Sequence, residues 1–79
     1  NHKEYFVVNL STLQELAEKK NLTKIGLAEL VDAGLTNGKV LVKILGNGEL
    51  KTKVDVEANS FSKTAEAAIK AVGGNTTII

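Results

Sequence analysis

Lys39-Val40-Leu41-Val42-Lys43-Ile44-Leu45, then Gly46-Asn47-Gly48, then Glu49-Leu50 and on to Val54-Asp55-Val56-Glu57-Ala58, is the stretch on which the fold of this chain turns. Its first seven residues read as a strand. Val40, Val42 and Ile44 fall on one face and Lys39 and Lys43 on the other, because side chains alternate across a strand. Gly46-Asn47-Gly48 is a tight-turn signal, since glycine and asparagine accept the positive φ angles that short hairpin turns demand. Beyond it the chain is expected to return as a strand from about Leu50 to Ala58, with Val54, Val56 and Ala58 alternating with Lys53, Asp55 and Glu57. The sequence thus predicts a β-hairpin at its centre.

Downstream, Ser62 stands where it would cap a helix over residues 63–72. Ala65, Ala68, Ile69 and Val72 recur at i, i+3, i+4 and i+7, which makes one buried stripe. Gly73-Gly74 ends that helix, and residues 76–79 read as a terminal strand. Upstream, Tyr5-Phe6-Val7-Val8 is rich in aromatic and β-branched side chains and reads as a strand. Ser11 followed by Gln14 has the spacing of a capping box, so a helix is expected over residues 12–20, stopping near Asn21. A shorter helix is expected over residues 27–33, with Leu27, Leu30 and Val31 as its stripe and Gly34 at its end. Thr36-Asn37-Gly38 reads as a loop, and residues 1–4 are polar and expected to fray. The order β-α-α-β-β-α-β predicts a small layered α/β fold, with residues 1–79 forming a single globular domain.

Composition narrows the functions open to it. The chain has 79 residues, with no cysteine, proline, methionine or tryptophan. All ten basic residues are lysine, against nine carboxylates, for a net charge of +1. Without cysteine there is no disulfide, thiolate nucleophile or thiolate-bound metal. No apolar run approaches the roughly 20 residues that span a bilayer, so no membrane partner is expected. A chain this short buries only about 60% of its unfolded surface, which makes stability modest. Near-neutral charge argues against a nucleic-acid partner. However, a first residue of Asn rather than Met leads to the expectation that the chain is an internal piece of a longer protein, with a basic part missing. Charge is also uneven. Residues 1–33 hold four lysines and five acids, net −1, and residues 34–79 hold six lysines and four acids, net +2. Between Lys39 and Lys53 four lysines face one acid, Glu49, for a local +3.

Catalysis finds little material. His2 is the only histidine, in a polar terminus that supplies no held partner for a general base. No His, Asp and Glu cluster has metal-ligand spacing, so neither metal nor cofactor is implied. Gly46-Asn47-Gly48 lacks the third glycine and following helix of a dinucleotide loop. The lysine-bearing turn could sit on a phosphate backbone; equally, its lysines could form a solvated strand face that discourages edge pairing.

More than a class is visible when the residues are taken together. Lys43-Ile44-Leu45-Gly46-Asn47-Gly48-Glu49-Leu50 leads to Val54-Asp55-Val56, then Ala58-Asn59-Ser60-Phe61-Ser62, Ala65, Ile69 and Gly73-Gly74. With Asn9-Leu10-Ser11-Thr12-Leu13 and Leu30-Val31-Asp32-Ala33-Gly34-Leu35, this resembles the C-terminal half of the bacterial large-subunit ribosomal protein L15 family. The resemblance implies an irregular β-β-α superhelix, shared with the L18e family. It implies a place in the large subunit of the cytoplasmic ribosome, with 23S-type rRNA and neighbouring large-subunit ribosomal proteins as partners. It implies no catalysis, cofactor or small-molecule substrate, and a basic N-terminal extension missing from this chain.

On this footing the candidate RNA-binding residues are Lys39, Lys43, Gly46, Asn47, Gly48, Lys51, Lys53, Ser62, Lys63 and Thr64. The lysines offer charge, the glycines close backbone approach, and Ser62, Lys63 and Thr64 a helix start whose N–H groups suit phosphate. Phe61 could stack on a base but fits better as a core anchor, with Val54, Val56, Ala65 and Ile69. Lacking arginine, the chain cannot make the planar bidentate phosphate contacts of a guanidinium. The alternatives are a non-catalytic module docking a neighbouring protein through an apolar surface and, more remotely, an enzyme holding a nucleotide at Gly46–Gly48.

Overall fold

A computed structural model describes residues 5–36 and 39–79. His2 and the Asn37-Gly38 part of the expected loop lie outside the described residues, as do the polar residues 1–4. In chain order the elements are β1 (Tyr5–Asn9), α1 (Leu10–Lys20), β2 (Lys24–Ile25), α2 (Leu27–Asp32), β3 (Leu41–Leu45), β4 (Asp55–Ala58), β5 (Ser60–Phe61), α3 (Lys63–Ala71) and β6 (Thr76–Ile78).

The strands sort strictly by parity. β1, β3 and β5 form one three-stranded sheet, and β2, β4 and β6 form another. Every pairing is parallel: Val8 lies beside Ile44 and Ile44 beside Phe61, while Ile25 lies beside Val56 and Val56 beside Thr76. Each circuit of the chain therefore adds one strand to each sheet, and three circuits wind the superhelix. The α/β class and the superhelical architecture expected from the sequence are both present.

The central hairpin is not. β3 and β4 lie in different sheets, and residues 46–54 carry the chain from one to the other. The reason lies in burial. Val42 and Ile44 of β3, and Val56 and Ala58 of β4, are all buried in the core. Parallel pairing gives β3 and β4 two neighbours each, whereas a hairpin would have given them one shared ladder. The expected return strand is also shorter. Leu50 and Val54 are buried, but from irregular backbone, before β4 begins at Asp55.

The two sheets and the helices close on one core. Val8, Val42 and Ile44 enter it from the first sheet, and Ile25, Val56 and Ala58 from the second. Leu10, Leu13 and Leu16 of α1, Leu30 of α2, and Ala65 and Ile69 of α3 complete it. Phe61 packs against it from the side, as the core reading expected. β2 and β5, each two residues long, escaped the sequence reading because neither spans a full alternation. Asn59 ties the sheets together: its side-chain oxygen accepts from the Val42 N–H at 2.8 Å, and its amide donates to the Ile79 carbonyl at 3.2 Å.

Three helix signals from the sequence are present and one is displaced. Asn21, at φ 52°, ends α1, and Gly34, at φ 76°, follows α2 with Leu35 N–H bonded back to the Leu30 carbonyl. Ser62 Oγ accepts from the Ala65 N–H at 3.1 Å, the expected cap of α3. The Ser11–Gln14 capping box does not form. α1 starts earlier, with Asn9 as its N-cap, and Ser11 N–H donates instead to the Asn47 carbonyl at 3.2 Å. Gln14 Oε1 is drawn away to accept from Lys51 N–H and Thr52 N–H, at 2.8 and 3.0 Å. A long-range loop thus supplies what the local motif would have supplied. Ser62→Ala is expected to cost about 1 kcal/mol, the usual loss of a serine cap, read as a lower urea midpoint with an unchanged slope.

Candidate nucleic-acid interface

Gly46-Asn47-Gly48 leaves the carboxyl end of β3 and passes between the starts of two helices. On one side is α3. A Cβ on Gly46 would lie 2.5 Å from Thr64 Cγ2 and 3.1 Å from the Ala65 nitrogen. On the other side is α1. A Cβ on Gly48 would lie 2.7 Å from Ser11 Cβ and 2.9 Å from the Ser11 nitrogen, and Gly48 itself has φ +87°. Only residues without side chains allow both approaches. The loop is pinned further by Asn47, whose amide donates to Asn9 Oδ1 at 3.3 Å, and by Ser62 N–H, which donates to the Ile44 carbonyl at 2.9 Å. Asn47, Gly48, Lys63 and Thr64 are exposed around this junction, with Gly46 and Ser62 half-buried.

Five of the ten candidates, the three loop residues with Ser62 and Thr64, therefore form one contiguous surface, and Lys63 stands in the first turn of α3 beside them. Two helix starts of 11 and 9 residues converge there, each presenting the positive end of its dipole. Asn9 and Ser11 join this surface, and sequence reading missed them as site residues. Their signals in the sequence are the local-cap spacing of Ser11 and the place of both residues in the Asn9–Leu13 part of the family resemblance.

The lysines are spread more widely than a compact hairpin would have placed them. Lys51 follows the loop, exposed, with its backbone held by Gln14 and its ammonium 3.8 Å from Glu49. Lys53 lies at the far end of α3, where a Cβ on Gly73 would touch its stem at 3.6 Å. Lys39 precedes β3, so the length of the strand, on the order of 20 Å, separates it from the loop. Lys43 projects from the middle of β3 onto the outer face of its sheet, half-buried, 6.0 Å from the Tyr5 ring centroid. The local +3 of residues 39–53 is real as a count, but the fold distributes it over two ends and one face.

Away from this surface, a groove of about 320 Å³ runs between α1 and the end of α2, lined by Leu16, Ala33 and Leu35 and by Glu15, Lys19, Lys20 and Asp32. Lys20 and Asp32 form an ion pair at 3.5 Å there. None of the ten candidates lines it. Among the described residues no group of three His, Cys, Asp or Glu could hold a metal, and no helix is long and apolar enough to cross a membrane.

Comparison with known proteins gives the family of the chain. A family model described as ribosomal proteins 50S-L15, 50S-L18e and 60S-L27A matches residues 7–77. The large ribosomal subunit protein uL15 of Phocaeicola vulgatus is 60% identical over 75 residues, which is 95% of this chain and 51% of that protein. The proteins of the same name from Parabacteroides distasonis and Bacteroides thetaiotaomicron are 57% and 54% identical over 74 residues, covering 94% of the chain and 50% of each. The chain spans about half the length of the curated relatives it matches.

Proposed function

Since this chain belongs to the family of ribosomal proteins L15, L18e and L27A, we propose that it is a non-catalytic structural constituent of the large ribosomal subunit, binding and organising 23S-type rRNA. The observation that carries this reading is the glycine loop wedged between two helix starts, with Lys63 and Lys51 beside it. Such a surface lets a phosphate backbone approach main-chain N–H groups closely while lysines neutralise its charge. Lys39, Lys43 and Lys53 extend the contact to other strands of a folded RNA.

In this reading the chain is the globular C-terminal part of a longer protein in the cytoplasmic ribosome, and it anchors a basic extension. Lysine binds phosphate as a point charge, so the domain by itself binds weakly, through about four to six phosphates. Neighbouring large-subunit proteins complete the setting.

A second reading, a module that docks a neighbouring protein, is favoured by Val31, Ile78 and Ile79, which are exposed. Lys43, Lys51, Lys53 and Lys63 changed together to glutamine separate the two. Titration of large-subunit rRNA at several salt concentrations is expected to show the magnitude of the slope of log K against log salt falling by roughly 3.6, at about 0.9 for each of the four lost phosphate contacts. Circular dichroism should remain that of the parent chain. Unchanged rRNA affinity and slope in a folded variant would favour protein docking.

A further inference from the structure

We propose that the outer face of the β1–β3–β5 sheet is a stacking platform for one unpaired RNA nucleotide, with the Tyr5 ring against the base and the Lys43 ammonium at its phosphate. The proposal rests on the reading of this chain as an rRNA-binding protein and adds to it a site of a different kind.

The face follows from the register. Val8, Val42 and Ile44 point into the core, so Tyr5, Val7 and Asn9 of β1, and Leu41, Lys43 and Leu45 of β3, point outward. Tyr5 stands beside Leu41, Val7 beside Lys43, and Lys43 beside Ser60. Parallel sheets are almost always covered on both faces. Here Tyr5 is 43% and Val7 44% exposed, with Leu41, Lys43 and Leu45 half-buried, so among the described residues the β1 side of this face lacks the full cover such sheets normally have.

Charge chooses the occupant. Among these seven residues Lys43 alone is charged, and it stands at the centre of the patch, on the middle strand. An apolar protein surface laid over it would bury an unpaired ammonium, which is strongly unfavourable. A nucleotide brings a flat apolar ring and an anion together. Its base can stack on the aromatic ring as bases do on other sheet platforms, and its phosphate can take the ammonium. The Lys43 Nζ lies 6.0 Å from the Tyr5 centroid, the outer limit of a cation–π contact, so the ammonium is loosely held there. Its flexible stem lets it move to a phosphate.

Tyr5 is the chain's only tyrosine, and there is no tryptophan, so tyrosine fluorescence reports this ring alone. The 79-residue chain is titrated with a short single-stranded oligoadenylate RNA, with the same strand paired to its complement, and with inorganic phosphate. The single strand is expected to quench the fluorescence, and the duplex and phosphate to leave it unchanged. Tyr5→Leu, which keeps apolar bulk, is expected to weaken single-strand binding by about five- to a hundredfold; Tyr5→Phe is expected to retain it. Single-strand binding without quenching, or equal affinity in Tyr5→Leu, would overturn the platform and leave the lysine-dependent rRNA reading standing. So would equal quenching by the duplex, or no binding of the single strand. A response of Tyr5 to a purified neighbouring ribosomal protein but not to RNA would assign the face to protein docking and likewise overturn it.

Discussion

Gly48→Ala is expected to lower the melting temperature by about 10–25 °C, a loss of about 2–4 kcal/mol. Two costs add. At φ +87° an alanine pays the left-handed penalty of an L residue, about 1 kcal/mol or more. Its Cβ would also stand 2.7 Å from Ser11 Cβ and 2.9 Å from the Ser11 nitrogen. That is the backbone of a helix start, which cannot give without dragging α1, and overpacking of this kind costs about 1–3 kcal/mol. Gly34→Ala is the internal control. Its φ is +76°, but no described residue lies within 4 Å of the added Cβ, so the backbone term of about 1 kcal/mol is the cost expected. The difference between the two variants measures the close approach by itself. Equal losses would mean that the loop does not press on α1.

The second large effect is expected at Ile44. It is fully buried on the middle strand of the first sheet, between Val8 on β1 and Phe61 on β5. Ile44→Ala removes three carbons from a site held on both sides by backbone ladders, which leaves little room for collapse. A loss of about 2–5 kcal/mol is expected by urea unfolding. The whole domain should have only about 4–12 kcal/mol to lose, at 0.05–0.15 kcal/mol per residue, so the variant sits near the edge of folding. Ile78→Ala, at a residue 65% exposed, should change stability by no more than about 0.5 kcal/mol. A comparable loss at both positions would contradict the core as described.

Both predictions concern positions flagged in the sequence, though one was flagged for the wrong reason. Ile44 was assigned to the buried face of its strand by alternation, and it is there. Gly48 was assigned to a hairpin turn. It does adopt a positive φ, but in a crossing between sheets whose tightness comes from α1. A one-dimensional reading sees that a residue can turn; it does not see which element the turn presses on. Ser11 and Gln14 teach the same lesson. Their spacing fits a local capping box, yet Gln14 makes its bonds 37 and 38 residues away, to Lys51 and Thr52. The candidate site was legible as a list of residue types, and five members meet in one place. Asn9 and Ser11, which complete that surface, belong to the family signature but have no local pattern that places them beside the glycine loop, and Lys39 and Lys53 lie elsewhere because strand and helix lengths carry them off.

What the sequence determined by itself was local: helices where apolar residues recur every three or four positions, strands where they alternate, a serine cap, glycines at chain reversals, and a signature shared with a ribosomal family. These follow from steric preferences and periodicity, which act over a few residues. The pairing of strands was decided only by the tertiary structure. β3 has no local reason to lie beside β1 and β5 rather than β4. It does so because two buried faces, separated in sequence, cover one core only when odd and even strands fall into separate sheets. The gathering of the glycine loop with two helix starts, and the placing of exposed Tyr5 and half-buried Lys43 on the far face, are consequences of that same division.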